Sequence, residues 1–316
     1  MKGITVTLNP CWDLTCYTEN VRLGQLNRVG SSQLSLGGKG VNVSRVLALL
    51  GDATEALMFR GGPFGDAFAQ GLEAAGICAK GVKTSVYQTR LNLKLIDSAD
   101  NGCTEINQSG EAVTPEEEAA MLSLVEESLQ EADVLFLGGS IPKGLNKDIY
   151  ARLIHMANAK GVRTALDCDG EALRLGLEAR PFLIKPNDYE LGLLVGRQVK
   201  DADDAAELIA RLHRETGVWV LCTLGGQGSL LACPEGVYHA TVPKLPLRGF
   251  TGAGDTHLAA FMHALHNGSP VEALRFASSA SSAKITFPGT ELPPDAEGLA
   301  AYVSAITIRK IELKGV

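Results

Sequence analysis

Two glycine-rich turns set polar side chains beside backbone that a ligand could approach closely. The first is Thr251-Gly252-Ala253-Gly254-Asp255, followed by an apolar helical pattern that runs through Leu265. At a helix start the N–H groups of Gly252, Ala253 and Gly254 lack intrahelical acceptors, so they suit phosphate or developing negative charge. Asp255 in the first turn also complements the helix dipole without any chemistry, and local sequence leaves it balanced between those two roles. The second turn is Gly37-Gly38-Lys39-Gly40-Val41-Asn42. Gly40, rather than Ser or Thr, follows Lys39, so the nucleotide phosphate loop G-x-x-x-x-G-K-[ST] is absent. Glycines let backbone approach hydroxyls and Asn42 offers donor and acceptor together, which favours a sugar-binding turn over simple helix capping.

Asn187 and Glu190 stand three residues apart at another helix start, the spacing of a capping box that satisfies two backbone N–H groups. The seven cysteines are odd in number and lack C-x-x-C pairs, which argues against a disulfide framework and a structural zinc site. A net charge of −7 disfavours nucleic acid and anionic membrane as partners, so an anionic ligand must be gripped by a local cationic cluster. The N-terminal stretch Met1–Leu8 reads as a strand rather than a leader, and no apolar run reaches the roughly 18 to 20 residues of a membrane span. The expected location is the cytoplasm.

The elements that must carry these turns alternate. Apolar runs at 4–8, 56–59, 134–137, 163–166, 182–184 and 218–223 predict strands. Amphipathic segments at 41–50, 64–75, 115–130, 147–158, 202–216, 253–265, 271–284 and 295–308 predict helices. This is the pattern of an α/β fold with a mostly parallel central sheet flanked by helices. Stretches 12–36 and about 86–106 break the rhythm with short alternating strands, and predict a small β lid inserted in a single domain spanning 1–316. Ligands of such sheets bind beyond the carboxyl ends of the strands.

The chain resembles the ribokinase superfamily in its phosphofructokinase-B branch. The resemblance rests on an ordered set: Thr7-Leu8-Asn9-Pro10 with Asp13, the Gly37–Asn42 turn, Gly138-Gly139-Ser140-Ile141-Pro142-Lys143-Gly144, Leu166-Asp167, Lys185-Pro186-Asn187-Asp188-Tyr189-Glu190, Thr223–Gly228, and Gly252–Asp255. Any one of these alone is weak. The resemblance implies a kinase that moves the γ-phosphoryl group of ATP to a sugar hydroxyl, with Asp255 as base and Gly252, Ala253 and Gly254 as anion hole. It implies sugar contacts from Asp13, Gly38 and Asn42, and substrate-phosphate contacts from Lys39 and Arg90, with Lys143 a weaker third cation. Lys185 would reach nucleotide phosphate, and Thr223, Leu224, Gly225, Gly226, Gln227 and Gly228 would line the nucleotide together with Gly254. Asn187 and Glu190 would organise Mg²⁺ through water. Activation by a monovalent cation such as K⁺ and a homodimer formed through the lid are further expectations of the resemblance.

Within the branch, Thr89-Arg90-Leu91-Asn92-Leu93-Lys94 and the segment 104–110 resemble the 1-phosphofructokinases more than the tagatose-6-phosphate kinases. Asn92, Lys94 and Asn107 then join the substrate contacts, and fructose 1-phosphate is the expected acceptor, with tagatose 6-phosphate or fructose 6-phosphate as alternatives. A silent sugar-phosphate or nucleotide-binding protein on the same scaffold is the rival of another class. A dinucleotide dehydrogenase is excluded because no G-x-G-x-x-G follows the first strand. His257 departs from the pattern and reads as a satisfied structural histidine, and Asp169 stands where Ser is more usual.

Overall fold

Short apolar runs without polar interruption make strands covered on both faces. The computed structural model describes residues 1–85, 88–97, 99 and 102–312. Among them, seven parallel strands lie side by side: Cys78–Thr84, Ala53–Gly61, Lys2–Thr7, Val134–Gly138, Arg163–Asp167, Leu183–Ile184 and Trp219–Thr223. Ser229–Cys233, Gly236–Thr241 and Thr307–Ile311 continue the same sheet as an antiparallel edge.

Strand Val134–Gly138 shows how the sheet divides the interior. Leu135 and Leu137 pack with Tyr150, Leu153 and Ile154 on one face, whereas Val134 and Phe136 pack with Leu47, Leu258 and Phe261 on the other. On that second face the helix Ala253–Asn267 packs against both Pro270–Lys284 and Lys39–Leu49. Ala259, Ala260, Ala273, Ala277 and Ala280 are all fully buried there, and such small side chains let neighbouring helices approach closely. The two helix starts bearing the glycine turns are thereby fixed to one another. Among the described residues, no helix is long and apolar enough to cross a membrane.

The stretches read as irregular strands form a second sheet in the order Ser31–Gly37, Cys11–Thr18, Arg90–Asp97, Gly102–Asn107. Of the expected stretch 86–106, positions 86, 87, 98, 100 and 101 lie outside the described residues. The sheet alternates with its polar side turned inward. Asp13, Thr15, Asn92 and Lys94 are buried, while Leu34 and Ile106 are exposed. In register, Leu34, Leu14, Leu93 and Ile106 make one apolar row across all four strands.

One expected element changes type. The helix expected over 295–308 is a short helix, Ala296–Ala300, a single turn at Val303–Ala305, and then the edge strand Thr307–Ile311. The β-branched Ile306, Thr307 and Ile308 favour the pleated conformation, and pairing with Gly236–Thr241 supplies their backbone bonds. The strands Cys78–Thr84, Ser229–Cys233 and Gly236–Thr241 and the helix Gly170–Glu178 add to those expected, while the helix start read at Asn187 opens Asp188–Val195.

Candidate active site

A cleft of about 510 Å³ opens at the carboxyl ends of the parallel strands. Each strand end delivers a polar group: Asp167 closes Arg163–Asp167, Lys185 follows Leu183–Ile184, and Thr223 closes Trp219–Thr223. The second sheet covers the cleft from the other side with Asp13, Arg90, Asn92, Lys94 and Asn107. Its register places Asn92 opposite both Asp13 and Asn107. Asp13 accepts from Asn92 Nδ2 at 3.2 Å and from Lys94 Nζ at 3.4 Å, so this buried carboxylate is fixed by two groups of the neighbouring strand.

Asp255 lies at the cleft floor, accepting a 2.7 Å hydrogen bond from Asn42 Nδ2. Burial, followed by the negative charge of Asp167, raises its pKa to about 6 against the pull of Lys39, Asn42 and Lys185. Asp167 is the centre of a charge cluster, 2.6 Å from Lys39 Nζ and 3.0 Å from Lys185 Nζ. Burial opposes its ionisation, yet Lys185 and Lys39 hold it below the ordinary carboxylate range. Burial likewise works against the charge on Lys39, and Asp167, Asp255 and Glu190 outweigh it, so its pKa is raised. Sequence reasoning gave Asp167 no role. The available signal was an acid at the carboxyl end of a predicted parallel strand.

The Asp255 loop departs from expectation in one detail. Gly252 adopts φ +82° as the residue before helix Ala253–Asn267, and its carbonyl accepts from both the N–H of Thr256 at 2.9 Å and Thr256 Oγ1 at 2.8 Å. The N–H of Ala253, however, donates to Phe250 O at 3.1 Å and closes a turn. Gly254 and Asp255 occupy the next two helical positions, where an α-helix offers no acceptor to the N–H. The outward donors therefore centre on Gly254, flanked by Gly252 and Asp255. A Cβ on Gly254 would stand 3.2 Å from Lys185 Nζ, so glycine keeps the lysine close to this backbone.

Beyond Gly254 a second cavity of about 800 Å³ adjoins the first and shares Asn187, Thr223 and Gly254 with it. Gly225, Gly226, Gly228 and Ala253 also line it, and a Cβ on Gly225 or Gly226 would meet no atom within 4 Å. Leu224 and Gln227 line neither cavity. Leu224 is buried with its N–H on Gly228 O, and Gln227 O bonds His239 Nε2 at 2.8 Å. His257 faces the second cavity and its Nδ1 lies 3.2 Å from Ser281 Oγ; burial and then Lys185 lower its pKa to about 3, so it is neutral.

The cations divide. Lys39 and Lys185 are engaged by Asp167, and Lys94 by Asp13. Arg90 instead donates Nε at 3.2 Å and Nη2 at 3.0 Å to Asn9 O, and Nη1 at 2.8 Å to Gln108 O. Carbonyls orient its guanidinium without cancelling the charge. Asn107 Nδ2 donates to Glu105 Oε2 at 3.2 Å on the cleft rim. Lys143 is exposed on a turn whose backbone pairs with Ala112 and Val113, away from the cleft lining.

Comparison with known proteins settles the family. The model of the pfkB family carbohydrate kinases matches residues 6–297. The chain belongs to that family. It is 36% identical to 1-phosphofructokinase of Bacillus subtilis, covering 88% of this chain and 91% of that protein. It is 32% identical to 1-phosphofructokinase of Rhodobacter capsulatus, covering 98% of each. Phosphofructokinase-2 from Escherichia coli, solved in complex with potassium, superposes with a TM-score of 0.88 at 29% identity over 95% of this chain and 98% of that one.

As a pfkB family carbohydrate kinase the protein is a phosphotransferase that uses ATP. The donor set bears on the divalent ion expected beside that nucleotide. Among the described residues no three His, Cys, Asp or Glu side chains converge on one point. Asn187 and Glu190 bond each other's backbone as a capping box, with Asn187 Oδ1 accepting at 2.7 Å and Glu190 Oε2 at 2.9 Å. Glu190 Oε1 is left in the cleft, 4.0 Å from Lys39 Nζ. One carboxylate oxygen beside a phosphate cavity fits Mg²⁺, which keeps several waters and takes other ligands from substrate phosphates.

Proposed function

We propose that the chain phosphorylates fructose 1-phosphate at its 6-hydroxyl with MgATP, Asp255 serving as general base. The observation that carries the reading is the position of Asp255, a buried carboxylate with a raised pKa where two cavities meet beside outward helix N–H groups. The 1-phosphofructokinase relatives support the choice of acceptor.

In this reading the sugar lies in the first cleft. Asp13 and Asn42 meet its hydroxyls, while Arg90, with Asn107, Asn92 and Lys94 around it, meets its phosphate. ATP lies along the second cavity with its phosphates toward Lys185 and Gly254. Asp255 takes the proton from the attacking hydroxyl, the new oxygen–phosphorus bond forms, and the bond from the γ-phosphorus to ADP breaks. Charge on the transferring oxygens is met by the N–H groups around Gly254 and by Lys39 and Lys185, which Asp167 fixes in advance. Mg²⁺ would be held through Asn187 and Glu190 and would neutralise phosphate charge there. Lys39, expected at the acceptor phosphate, is thereby assigned to the transferring group, because its ammonium is drawn to Asp167.

The test is a panel of fructose 1-phosphate, fructose 6-phosphate and tagatose 6-phosphate in an assay coupled to ADP formation. The highest kcat/KM is expected for fructose 1-phosphate. Equal or better turnover of either alternative overturns the acceptor, and no ADP formation with any of them overturns the kinase reading.

The reading extends to assembly. The second sheet acts as a lid whose apolar row Leu34, Leu14, Leu93 and Ile106 faces away from the cleft, and it pairs with the same row of a second copy. Two-fold association through a self-complementary patch is the commonest closed symmetry.

A further inference from the structure

Lys284, the last residue of helix Pro270–Lys284, has no exposed surface. A buried ammonium ordinarily pairs with a carboxylate. Here the partners are backbone carbonyls, with Nζ donating to Gly289 O at 2.9 Å and to Phe287 O at 3.4 Å. Burial and then Arg45 lower its pKa to about 8, only partly countered by Glu291.

Those carbonyls belong to a turn packed directly beneath the Asp255 loop. Ile285 O accepts from Arg248 N at 2.8 Å and Gly249 N at 3.3 Å. A Cβ on Gly249 would stand 2.9 Å from Gly289 N, and one on Gly252 would stand 3.8 Å from Lys284 Cε. Arg45 Nη1 secures the far end of the turn at Thr290 O, 3.0 Å away. The Lys284 ammonium therefore sits between two carbonyl oxygens under the helix start that presents the anion-binding N–H groups, with Arg45 at the far end of the same turn.

Carbonyl oxygens gathered around one positive charge are the chemistry of a dehydrated monovalent cation. A lysine ammonium brings the same charge with three donors and cannot dissociate. We propose that Lys284 acts as a tethered monovalent cation, holding the turn 285–290 against the Asp255 loop so that the enzyme needs no free K⁺. This replaces the K⁺ activation expected from the resemblance, because the ammonium already takes the carbonyls of Phe287 and Gly289. Lys284 is a positioning residue, acting through the loop rather than on substrate.

The inference rests on the phosphoryl-transfer reading of the Asp255 loop, and the experiment separates the two. Initial rates of the wild type are compared in K⁺ and in tetramethylammonium at equal ionic strength. The same comparison is made for Lys284→Met, and both proteins are melted in both salts without substrate. The wild type is expected to show equal rates and equal melting temperatures. Lys284→Met is expected to lose on the order of tenfold in kcat in tetramethylammonium, to recover in K⁺ or NH₄⁺, and to melt higher in K⁺. Several-fold activation of the wild type by K⁺ overturns the proposal, and that arm decides the matter if the variant does not fold. A folded variant with full rate in tetramethylammonium, or one that no cation rescues, also overturns it. Wild type inactive in every salt counts against the kinase reading instead, while the melting arm still reports whether K⁺ binds.

Discussion

Asp255 and Asp167 are two carboxylates with opposite fates. Lys39 and Lys185 keep Asp167 ionised, and that fixed charge together with burial keeps the proton attractive to Asp255. A base poised this way should give kcat/KM an acid limb with an apparent pKa near 6, activity falling as pH drops below it. Asp255→Asn keeps an acceptor for Asn42 and removes the base, so kcat is expected to fall about 10²–10⁴-fold with ATP affinity retained. Turnover near wild type would remove Asp255 from the mechanism. The same variant tests the electrostatics independently of rate. A folded-state pKa above the unfolded one means that Asp255 costs stability as pH rises above its unfolded value of 3.8, the cost growing until about pH 6 and levelling off at about 3 kcal/mol. Asp255→Asn should therefore melt higher than wild type at pH 8, and the gap should narrow as pH falls from 6 towards 4, where Asp255 becomes protonated in the unfolded chain as well as in the folded one. Arg90 makes a separate case. Arg90→Lys keeps a positive charge but loses the planar fork, and is expected to raise KM for the sugar phosphate about tenfold while KM for ATP stays unchanged. An unaltered sugar-phosphate KM would place the acceptor phosphate elsewhere.

At the scale of elements, the second sheet reverses the usual arrangement, with Asp13, Asn92 and Lys94 buried and the Leu34, Leu14, Leu93 and Ile106 row outside. The alternation of 12–36 and 86–106 was readable as strands because a period of two needs no knowledge of the partner. Which face meets the cleft was not, since Leu93 inward and Lys94 outward would alternate equally well. Only pairing in register with Cys11–Thr18 decides it. The same limit explains residues 306–311, where β-branched side chains become a strand because Gly236–Thr241 leaves an open edge beside them. If the apolar row is a dimer face, Ile106→Glu should convert a dimer into a monomer in light scattering coupled to gel filtration. The cleft face is untouched by that change. A wild type that is already monomeric at high concentration would refute the pairing, and so would a variant that remains dimeric.

Across the whole molecule, the legible part of the site was the part written as glycine turns and strand ends in fixed order, since each of those motifs is local. Gly252–Asp255, Asn42 and Lys185 meet although they are far apart in sequence, because helices Lys39–Leu49 and Ala253–Asn267 pack together over the sheet and bring their starts side by side. What could not be read was the charge pairing, which depends on distances between different strand ends. Lys39 pairs with a residue 128 positions away. That pairing has a global consequence. The chain carries a net charge of −7, and the cleft is lined by four basic side chains, Lys39, Arg90, Lys94 and Lys185, against five acidic ones, Asp13, Glu105, Asp167, Glu190 and Asp255. The lysines are thus already balanced by protein carboxylates before a nucleotide arrives, and free ATP, with its several negative charges, meets no surplus of positive charge. A divalent ion travelling with the phosphates must supply it. Chelation should therefore act on binding as well as on turnover. ATP with Mg²⁺ is expected to raise the melting temperature through preferential binding to the folded state, whereas ATP with excess chelator should leave it nearly unchanged. Equal stabilisation by ATP in both conditions would show that the cleft lysines alone carry the nucleotide, and would remove Glu190 and Asn187 from the metal.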